Sequence, residues 1–251
     1  ALGLDAMGSA TPSQDNVAIG YQAGLSLVGG GGANVAAGFH ALRNSTAGQQ
    51  NIALGLFALR DVQGDFNIGL GAGAGTSKVT GNFNMYLGYS VGNDVNNVES
   101  ATIRVGDSGF YSRFFVGAVR GVTTGQSNAV AVVIDSNGQL GTVNSSRRYK
   151  EDIQDMGEAS SGLMKLRPVT YRYTQAYADG SKPIDYGLIA EEVEQVYPDL
   201  VAHLKDGEVE TVQYHKINAM LLNEVQKQHR QIEVLTERLA ALERVLASTP
   251  K

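Results

Sequence analysis

The chain has 251 residues, of which 43% are hydrophobic, and a formal net charge of −5, which suits one large or two ordinary domains with a buried core. No basic patch favours nucleic acid as a partner, and the absence of cysteine excludes disulfides, thiolate zinc sites and thiol catalysis. No apolar run reaches the ~18 residues of a membrane span, and we expect neither a cofactor nor a bound metal.

The first part of the chain repeats a short unit of Asn, aliphatic, small, aliphatic and Gly. The anchoring glycines recur every 16 to 18 residues, at Gly20, Gly38, Gly55, Gly71 and Gly88, with weaker copies at Gly3 and Gly106. The pattern is already in progress at Ala1, so we expect a longer chain upstream. Each unit predicts one short strand and a turn. One such strand cannot bury its own face, but stacked turns can, so the repeat predicts a β-solenoid.

The fixed positions of the repeat have physical explanations. Gly at each corner suits a positive φ or a close approach of two backbones, and Asn can cap that corner or form a side-chain ladder. Both faces of the strands are apolar, as in Val17 and Ile19 against Ala18. We therefore expect a second face to be buried by association between chains.

These units, over residues 1–106, resemble the β-roll heads of trimeric bacterial adhesins, which also occur in phage tail-fibre shafts. The resemblance implies a homotrimer. The stretch "GLGAGAGTSK" (residues 69–78) is also similar to a phosphate-binding loop. However, it lacks the Gly-Lys-Ser/Thr ending, and its glycines keep the phase of the repeat, so we interpret it as repeat corners.

Residues 110–144 predict a β neck. The stretches "FYSRFFVGAV" and "NAVAVVIDSNGQLGTV" are strand-like, and the second contains a hairpin-turn signal at Ser136, Asn137 and Gly138. Residues 1–109 would then form the β-roll head or stalk, and residues 145–251 a separate α+β domain.

The border segment is "SSRRYKEDI", residues 145–153. Ser145 and Lys150 could form a nucleophile–base pair, because lysine can take the proton of a serine hydroxyl when the lysine is neutral. From the residues alone, a solvated turn with a charged surface remains the other interpretation.

This segment resembles the Ser-Asp-x-Arg-Leu/Tyr-Lys-x-Asp-Ile motif of the intramolecular chaperone auto-processing domain, also called the peptidase S74 or endosialidase C-terminal domain. The stretches "LMKLRPVTYRYT" (163–174), "DYGLIAEEVEQVYPDLV" (185–201) and "VQYHKINAMLLNEVQ" (212–226) agree in order and spacing. The one departure is Ser146, where the family usually has Asp.

The resemblance implies a self-cleaving serine peptidase that cuts between Asn144 and Ser145, with Ser145 as nucleophile and Lys150 as base. It also implies a trimeric tail fibre of a virion, or an adhesin on a bacterial surface, from which the chaperone domain is released. The N-terminal part would bind a host-surface receptor or glycan. Two alternatives are a permanent, uncleaved trimer clamp and a glycan-degrading tail spike.

Residues 216–247 predict one long helix with an apolar seam at steps of three and four residues, formed by Leu221, Val225, Ile232, Leu235, Leu239, Leu242 and Leu246. We expect a three-stranded coiled coil, and the alternative is a helix packed on its own domain. We interpret the carboxylates Glu191, Glu192 and Glu194 as a solvated helix face, and the scattered histidines do not predict a zinc site.

Overall fold

The structure is a computed structural model, and it describes residues 1–10, 15–27, 32–77, 80–93, 98–107 and 109–248. The chain divides into two compact units, Ala1–Val122 and Thr123–Lys251. The boundaries predicted after residues 109 and 144 lie on either side of this division and stay predictions.

The first unit is a β-solenoid of about five turns. Each repeat supplies one three-residue strand, and the strands pair in parallel and in chain order: β1 (Val17–Ile19), β2 (Val35–Ala37), β3 (Ile52–Leu54), β4 (Ile68–Leu70), β5 (Met85–Leu87) and β6 (Ile103–Val105). Equivalent residues of successive units face each other, as Val17 faces Val35 and Ile52 faces Ile68. The predicted solenoid and its repeat register are confirmed.

The corner after each strand requires glycine for two reasons at once. Gly20 and Gly55 have φ angles of +123° and +133°, which L side chains rarely adopt. A Cβ on Gly55 would also lie 2.6 Å from the carbonyl oxygen of Gly71 in the next turn. Both expectations for this position, a positive φ and a close backbone approach, are confirmed.

The fixed asparagines form a buried ladder along the solenoid. The main-chain N–H of Asn51 donates to Asn34 Oδ1, that of Asn67 to Asn51 Oδ1 (2.8 Å each), and that of Asn84 to Asn67 Oδ1 (3.0 Å). Asn51 Nδ2 in turn donates to the carbonyl oxygen of Gly64, at 3.0 Å. Each asparagine therefore satisfies backbone groups of two turns that the narrow interior would leave unpaired.

The interior of the solenoid is filled by small residues on the strands and larger ones opposite. Ala18, Ala36 and Ala53 point inward from β1, β2 and β3, with exposures of 1% or less, and Leu42 and Leu59 are fully buried. In β5 the inward residue is Tyr86. A Cβ on Gly75 would lie 2.7 Å from the Tyr86 ring, so glycine makes room for that ring.

The last turn ends in a polar cluster. Arg104 occupies the inward position of β6 and forms an ion pair with Glu99 at 2.7 Å. The Tyr86 hydroxyl donates to the same carboxylate at 2.8 Å. Burial, followed by this hydrogen bond, raises the pKa of Tyr86 above its ordinary value. The cluster separates the apolar interior from the end of the sheet, as the polar outer face of a terminal repeat must.

The outward face of the same sheet is entirely apolar. Val17 and Ile19 are each 47% exposed, and the equivalent positions of all other strands are also aliphatic. This row continues along six strands without a polar interruption. A soluble chain rarely leaves an apolar surface of this length uncovered.

The stretch of residues 69–77, which is similar to a phosphate-binding loop, belongs to the repeat. Gly69 is the inward residue of β4, where a Cβ would lie 2.7 Å from the Leu59 side chain, and Gly71 is the corner residue. The interpretation of this stretch as repeat corners is confirmed for residues 69–77. Lys78 lies outside the described residues.

The second unit combines hairpins and helices. β7 (Val133–Ile134) pairs with β8 (Leu140–Gly141), β9 (Val169–Tyr171) with β10 (Asp185–Gly187), and β11 (Val201–His203) with β12 (Val209–Val212), all antiparallel. The helices are α1 (Ala190–Glu194) and α2 (Tyr214–Ser248), with 3₁₀ helices at Arg147–Tyr149, Gly157–Lys165 and Pro198–Leu200.

The predicted neck is only partly formed in the single chain. The turn at Ser136–Gly138 is confirmed, because Gly138 N–H donates to the Asp135 carbonyl oxygen (2.9 Å) between β7 and β8. Residues 110–119, in contrast, adopt turns and irregular backbone instead of the predicted strand. A strand needs a neighbour for its backbone hydrogen bonds, and this segment of the chain has none.

The core of the second unit lies around the N-terminal turns of α2. It contains Leu163, Val193, Leu200, Val201, Val212 and Ile217. Further along α2 the apolar seam is uncovered, because Ile232, Leu235, Leu239 and Leu242 are all between 55% and 61% exposed. The predicted long helix is confirmed, whereas its partners in a coiled coil remain a prediction.

Candidate functional site

The border segment contains one turn of 3₁₀ helix between the two predicted catalytic residues. Tyr149 N–H donates to the Ser146 carbonyl oxygen (3.0 Å), and Lys150 N–H donates to that of Arg147 (3.1 Å). Ser146 is extended, with φ −63° and ψ 140°, and its side chain makes no capping hydrogen bond. Ser145 therefore lies before the turn, and Lys150 lies directly after it.

The side chains of Asn144, Ser145 and Lys150 all lie in water. Every described residue from 109 to 159 is exposed, so the predicted cleavage site belongs to the most accessible part of the chain. Within the described residues, neither the Ser145 hydroxyl nor the Lys150 amino group makes a hydrogen bond or an ion pair. No hydrogen bond therefore joins these two groups in the single chain.

Two neighbours give the segment a defined local shape. The Arg148 guanidinium lies 4.7 Å from the centroid of the Tyr149 ring, which is a cation–π contact. Asp152 adopts a left-handed conformation with φ +50°, which is uncommon for a residue other than glycine.

The exposed segment is followed by the 3₁₀ helix Gly157–Lys165, which side-chain hydrogen bonds hold on α2. Ser160 is fully buried, and its hydroxyl donates to Glu224 Oε1 of α2 at 2.5 Å. Asn223 Nδ2 donates to Ser160 Oγ (2.6 Å) and to the Gly157 carbonyl oxygen (2.8 Å). These bonds, together with those of Lys227, hold the 3₁₀ helix on α2, and we call them the polar staple.

The polar staple includes a second Ser–Lys pair that sequence reasoning missed. Lys227 Nζ donates to Ser161 Oγ at 2.8 Å, but it also binds Glu158 (2.8 Å) and Glu224 (3.1 Å). The hydrogen bond to Glu158 raises the pKa of Lys227. A lysine held in its charged form cannot accept a proton, so this pair is structural. No local pattern reveals it, because Ser161 and Glu158 lie 66 and 69 residues before Lys227 in the sequence.

The carboxylates of α1 make surface ion pairs. Glu192 binds Arg167, and Glu194 binds His203 at 2.7 Å. Groups of three or more potential metal ligands are absent from the described part of the chain. The interpretation of these carboxylates as a solvated helix face agrees with their exposure.

None of the helices among the described residues has the length and apolar character needed to span a membrane. This includes α2, the longest helix, whose 35 residues carry charged side chains throughout.

Comparison with known proteins gives one result for the second unit. No curated protein sequence matches the chain. The family described as chaperone of endosialidase (peptidase S74) matches residues 145–202, which begin at Ser145 and include the border turn, the anchored 3₁₀ helix and α1. The match supports a chaperone domain of the peptidase S74 type that begins at Ser145.

Proposed function

We propose that this chain is the C-terminal region of a trimeric fibre or adhesin whose terminal domain drives trimerisation and then releases itself by self-cleavage. The observation that carries the proposal is the family match, which begins at Ser145 in the middle of a fully exposed segment. The fibre belongs to a virion tail or a bacterial surface, and the N-terminal part binds a host-surface receptor or glycan.

Uncovered apolar surfaces support the trimer. The outward face of the solenoid sheet, the neck residues and the seam of α2 expose aliphatic side chains along most of the chain. The solenoid face repeats with every turn, so a partner that covers it must have the same repeat. A parallel copy of the same chain meets this condition.

The proposed reaction uses Ser145 and Lys150. Lys150, in its neutral form, takes the proton of the Ser145 hydroxyl, and Oγ attacks the carbonyl carbon of Asn144. The bond between this carbon and the Ser145 nitrogen breaks as an ester to Oγ forms, and the freed amine takes a proton. Water then hydrolyses the ester, which gives a carboxylate at Asn144 and a new N-terminus at Ser145.

Proximity accounts for much of the expected rate. The attacked carbonyl belongs to the residue directly before the nucleophile, so no substrate has to be bound. Lys150 lies in water in the single chain, whereas a neutral lysine is favoured by burial or neighbouring positive charge. We therefore place the reaction in the trimer, where neighbouring copies cover the border segment.

Release of the chaperone gives the fibre kinetic stability. Non-local pairing of three thin solenoid chains is slow and prone to aggregation, and a C-terminal trimer holds the chains together while it occurs. Once the domain has left, the fibre cannot unfold along the path by which it formed.

Intact mass measured over several hours tests the cleavage. We expect two fragments, 1–144 and 145–251, from the natural sequence, and one uncut chain from Ser145→Ala and Lys150→Ala. Lys150→Arg is the matched control for charge, because arginine keeps the positive charge but cannot act as the base. An uncut natural chain that still forms a trimer would identify the domain as a permanent clamp.

A further inference from the structure

Two columns of side chains flank the solenoid sheet, one at each end of its strands. The leading column precedes the fixed asparagines, or Thr102 in the last repeat, and all six members have left-handed φ angles of 54° to 66°: Asp15, Ala33, Gln50, Phe66, Phe83 and Ala101. The trailing column follows the corner glycines: Tyr21, Phe39, Leu56, Ala72, Tyr89 and Asp107.

Both columns expose aromatic rings that stack along the solenoid. Phe66 and Phe83 of the leading column lie 4.8 Å apart, nearly parallel, and Tyr21 and Phe39 of the trailing column lie 5.2 Å apart. Phe83 is 61% exposed although it is a large apolar residue. Phe39 also contacts the rings of His40 and Phe57, yet it remains 42% exposed.

The sizes of the side chains in the two columns are complementary in three of the six repeats. In the first two turns the leading residues are Asp15 and Ala33, and the trailing residues are Tyr21 and Phe39. In the fourth turn the order is reversed, because Phe66 leads and Ala72 trails. Gln50 and Leu56 share the third turn. The fifth repeat also has large residues in both columns, Phe83 and Tyr89, and the sixth has small residues in both, Ala101 and Asp107.

Charged side chains also lie beside the two columns. The leading side carries the exposed Asp15 and the partly exposed Asp65. Arg43 and Arg60 each follow a trailing residue by four positions. Arg60 pairs with Asp61 at 2.7 Å, whereas Arg43 makes no ion pair within the described residues. The trailing side also carries Asp61 and Asp107, so it holds charges of both signs.

We propose that the leading column of one copy packs, turn for turn, against the trailing column of the next copy in the trimer. The inference rests on the proposed trimer and adds its geometry. A three-fold ring requires two different patches on each chain, each facing a different neighbour. The two columns are such patches, and the small residue of one column leaves space for the aromatic ring of the other.

The chain contains no cysteine, so engineered disulfides can test this contact without a background. We would introduce Phe66→Cys together with Ala72→Cys in the uncut Ser145→Ala chain. Within one chain these positions flank the three residues of β4. At ~3.3 Å per residue, they are roughly 10 Å or more apart, which exceeds the ~7 Å limit for a disulfide.

We expect the double variant to run as a covalent trimer on a denaturing gel without reductant, and each single variant as one chain. The matched control combines Phe66→Cys with Ser77→Cys, an isosteric change in the same turn outside the trailing column. The pair Gln50→Cys and Leu56→Cys repeats the test in the third turn, in case the loss of Phe66 impairs folding.

The proposal is overturned if neither pair gives a covalent trimer, if a single cysteine cross-links two chains, or if the control pair cross-links equally well. Light scattering separates its failure from that of the proposed function. A molecule of three chains without cross-links contradicts only the packing of the columns, whereas a molecule of one chain contradicts the trimer as well.

Discussion

The Ser160 hydroxyl donates a 2.5 Å hydrogen bond to Glu224 across 64 residues of sequence. Ser160 is the first buried residue after the exposed stretch of residues 109–159, so this bond marks the point where the border segment joins the packed domain. Its partner lies on α2, the helix proposed to form the trimer. The polar staple therefore connects the segment proposed to be cut to the helix proposed to assemble.

Acid should weaken the polar staple. The hydrogen bond from Ser160 lowers the pKa of Glu224, and the one from Lys227 lowers the pKa of Glu158. A carboxylate whose pKa is lowered by folding contributes stability above its unfolded pKa, ordinarily 4.5, and this stability is lost as the pH falls through the lower folded pKa.

We expect the melting temperature of the second unit to fall below about pH 4.5, and the fall to be shallower in Glu224→Gln. Circular dichroism between pH 3 and 7 measures this. Glu233→Gln, on the exposed part of the same helix, is the control. An identical acid dependence in all three proteins would show that the polar staple does not contribute to it.

Tyr86→Ala should be the most damaging single change in the solenoid. The ring is fully buried, and its loss leaves a cavity, which costs roughly 3–5 kcal/mol for a large aromatic residue. Tyr86→Phe keeps the ring and loses only the hydrogen bond to Glu99, so we expect about 1 kcal/mol. Because the chain lacks tryptophan, denaturation is best followed by circular dichroism. Equal effects of the two variants would contradict this assignment.

Removal of one rung of the asparagine ladder should destabilise the solenoid by roughly 2–4 kcal/mol. Asn51→Ala leaves the Asn67 N–H and the Gly64 carbonyl oxygen without their buried partners. The control is Asn44→Ala, because Asn44 is exposed and contacts Asp61 at the surface. The measurement is the denaturant midpoint, and a similar shift in both variants would show that the ladder carries no special stability.

Leu239→Asn should reduce the number of chains in the particle. Leu239 lies on the seam of α2 and is 57% exposed in the single chain, so a polar residue there costs nothing until copies associate. We expect light scattering to show dissociation at concentrations where the natural chain is trimeric. Glu237→Gln, beside the seam, should leave the mass unchanged. A trimer that survives Leu239→Asn must be held by other surfaces.

Periodicity made the solenoid predictable from the sequence. Asn and Gly recur because each turn meets the same steric and hydrogen-bonding demands, so Asn51 and Gly55 reveal their roles without a structure. The neck turn was also predictable, since Asn137 and Gly138 have strong turn preferences. The long helix α2 was predictable from the apolar residues that recur at steps of three and four.

Other features have no local signal. The pairing of Ser160 with Glu224 depends on how the chain folds back over 64 residues, and no spacing rule links such partners. Residues 110–119 carry a strand pattern, but their backbone forms no strand in the single chain. For the same reason the geometry of Ser145 and Lys150 does not follow from their spacing, because their surroundings are not supplied by their neighbours in sequence.

The full exposure of the border segment affects how cleavage has to be measured. Arg147, Arg148 and Lys150 offer trypsin-like enzymes three sites within six residues of the Asn144–Ser145 bond. Host proteases that contaminate a preparation would therefore yield bands of nearly the same size as the products of self-cleavage. Only a mass accurate enough to distinguish an end at Asn144 from an end at Arg147 or Arg148 identifies the enzyme responsible.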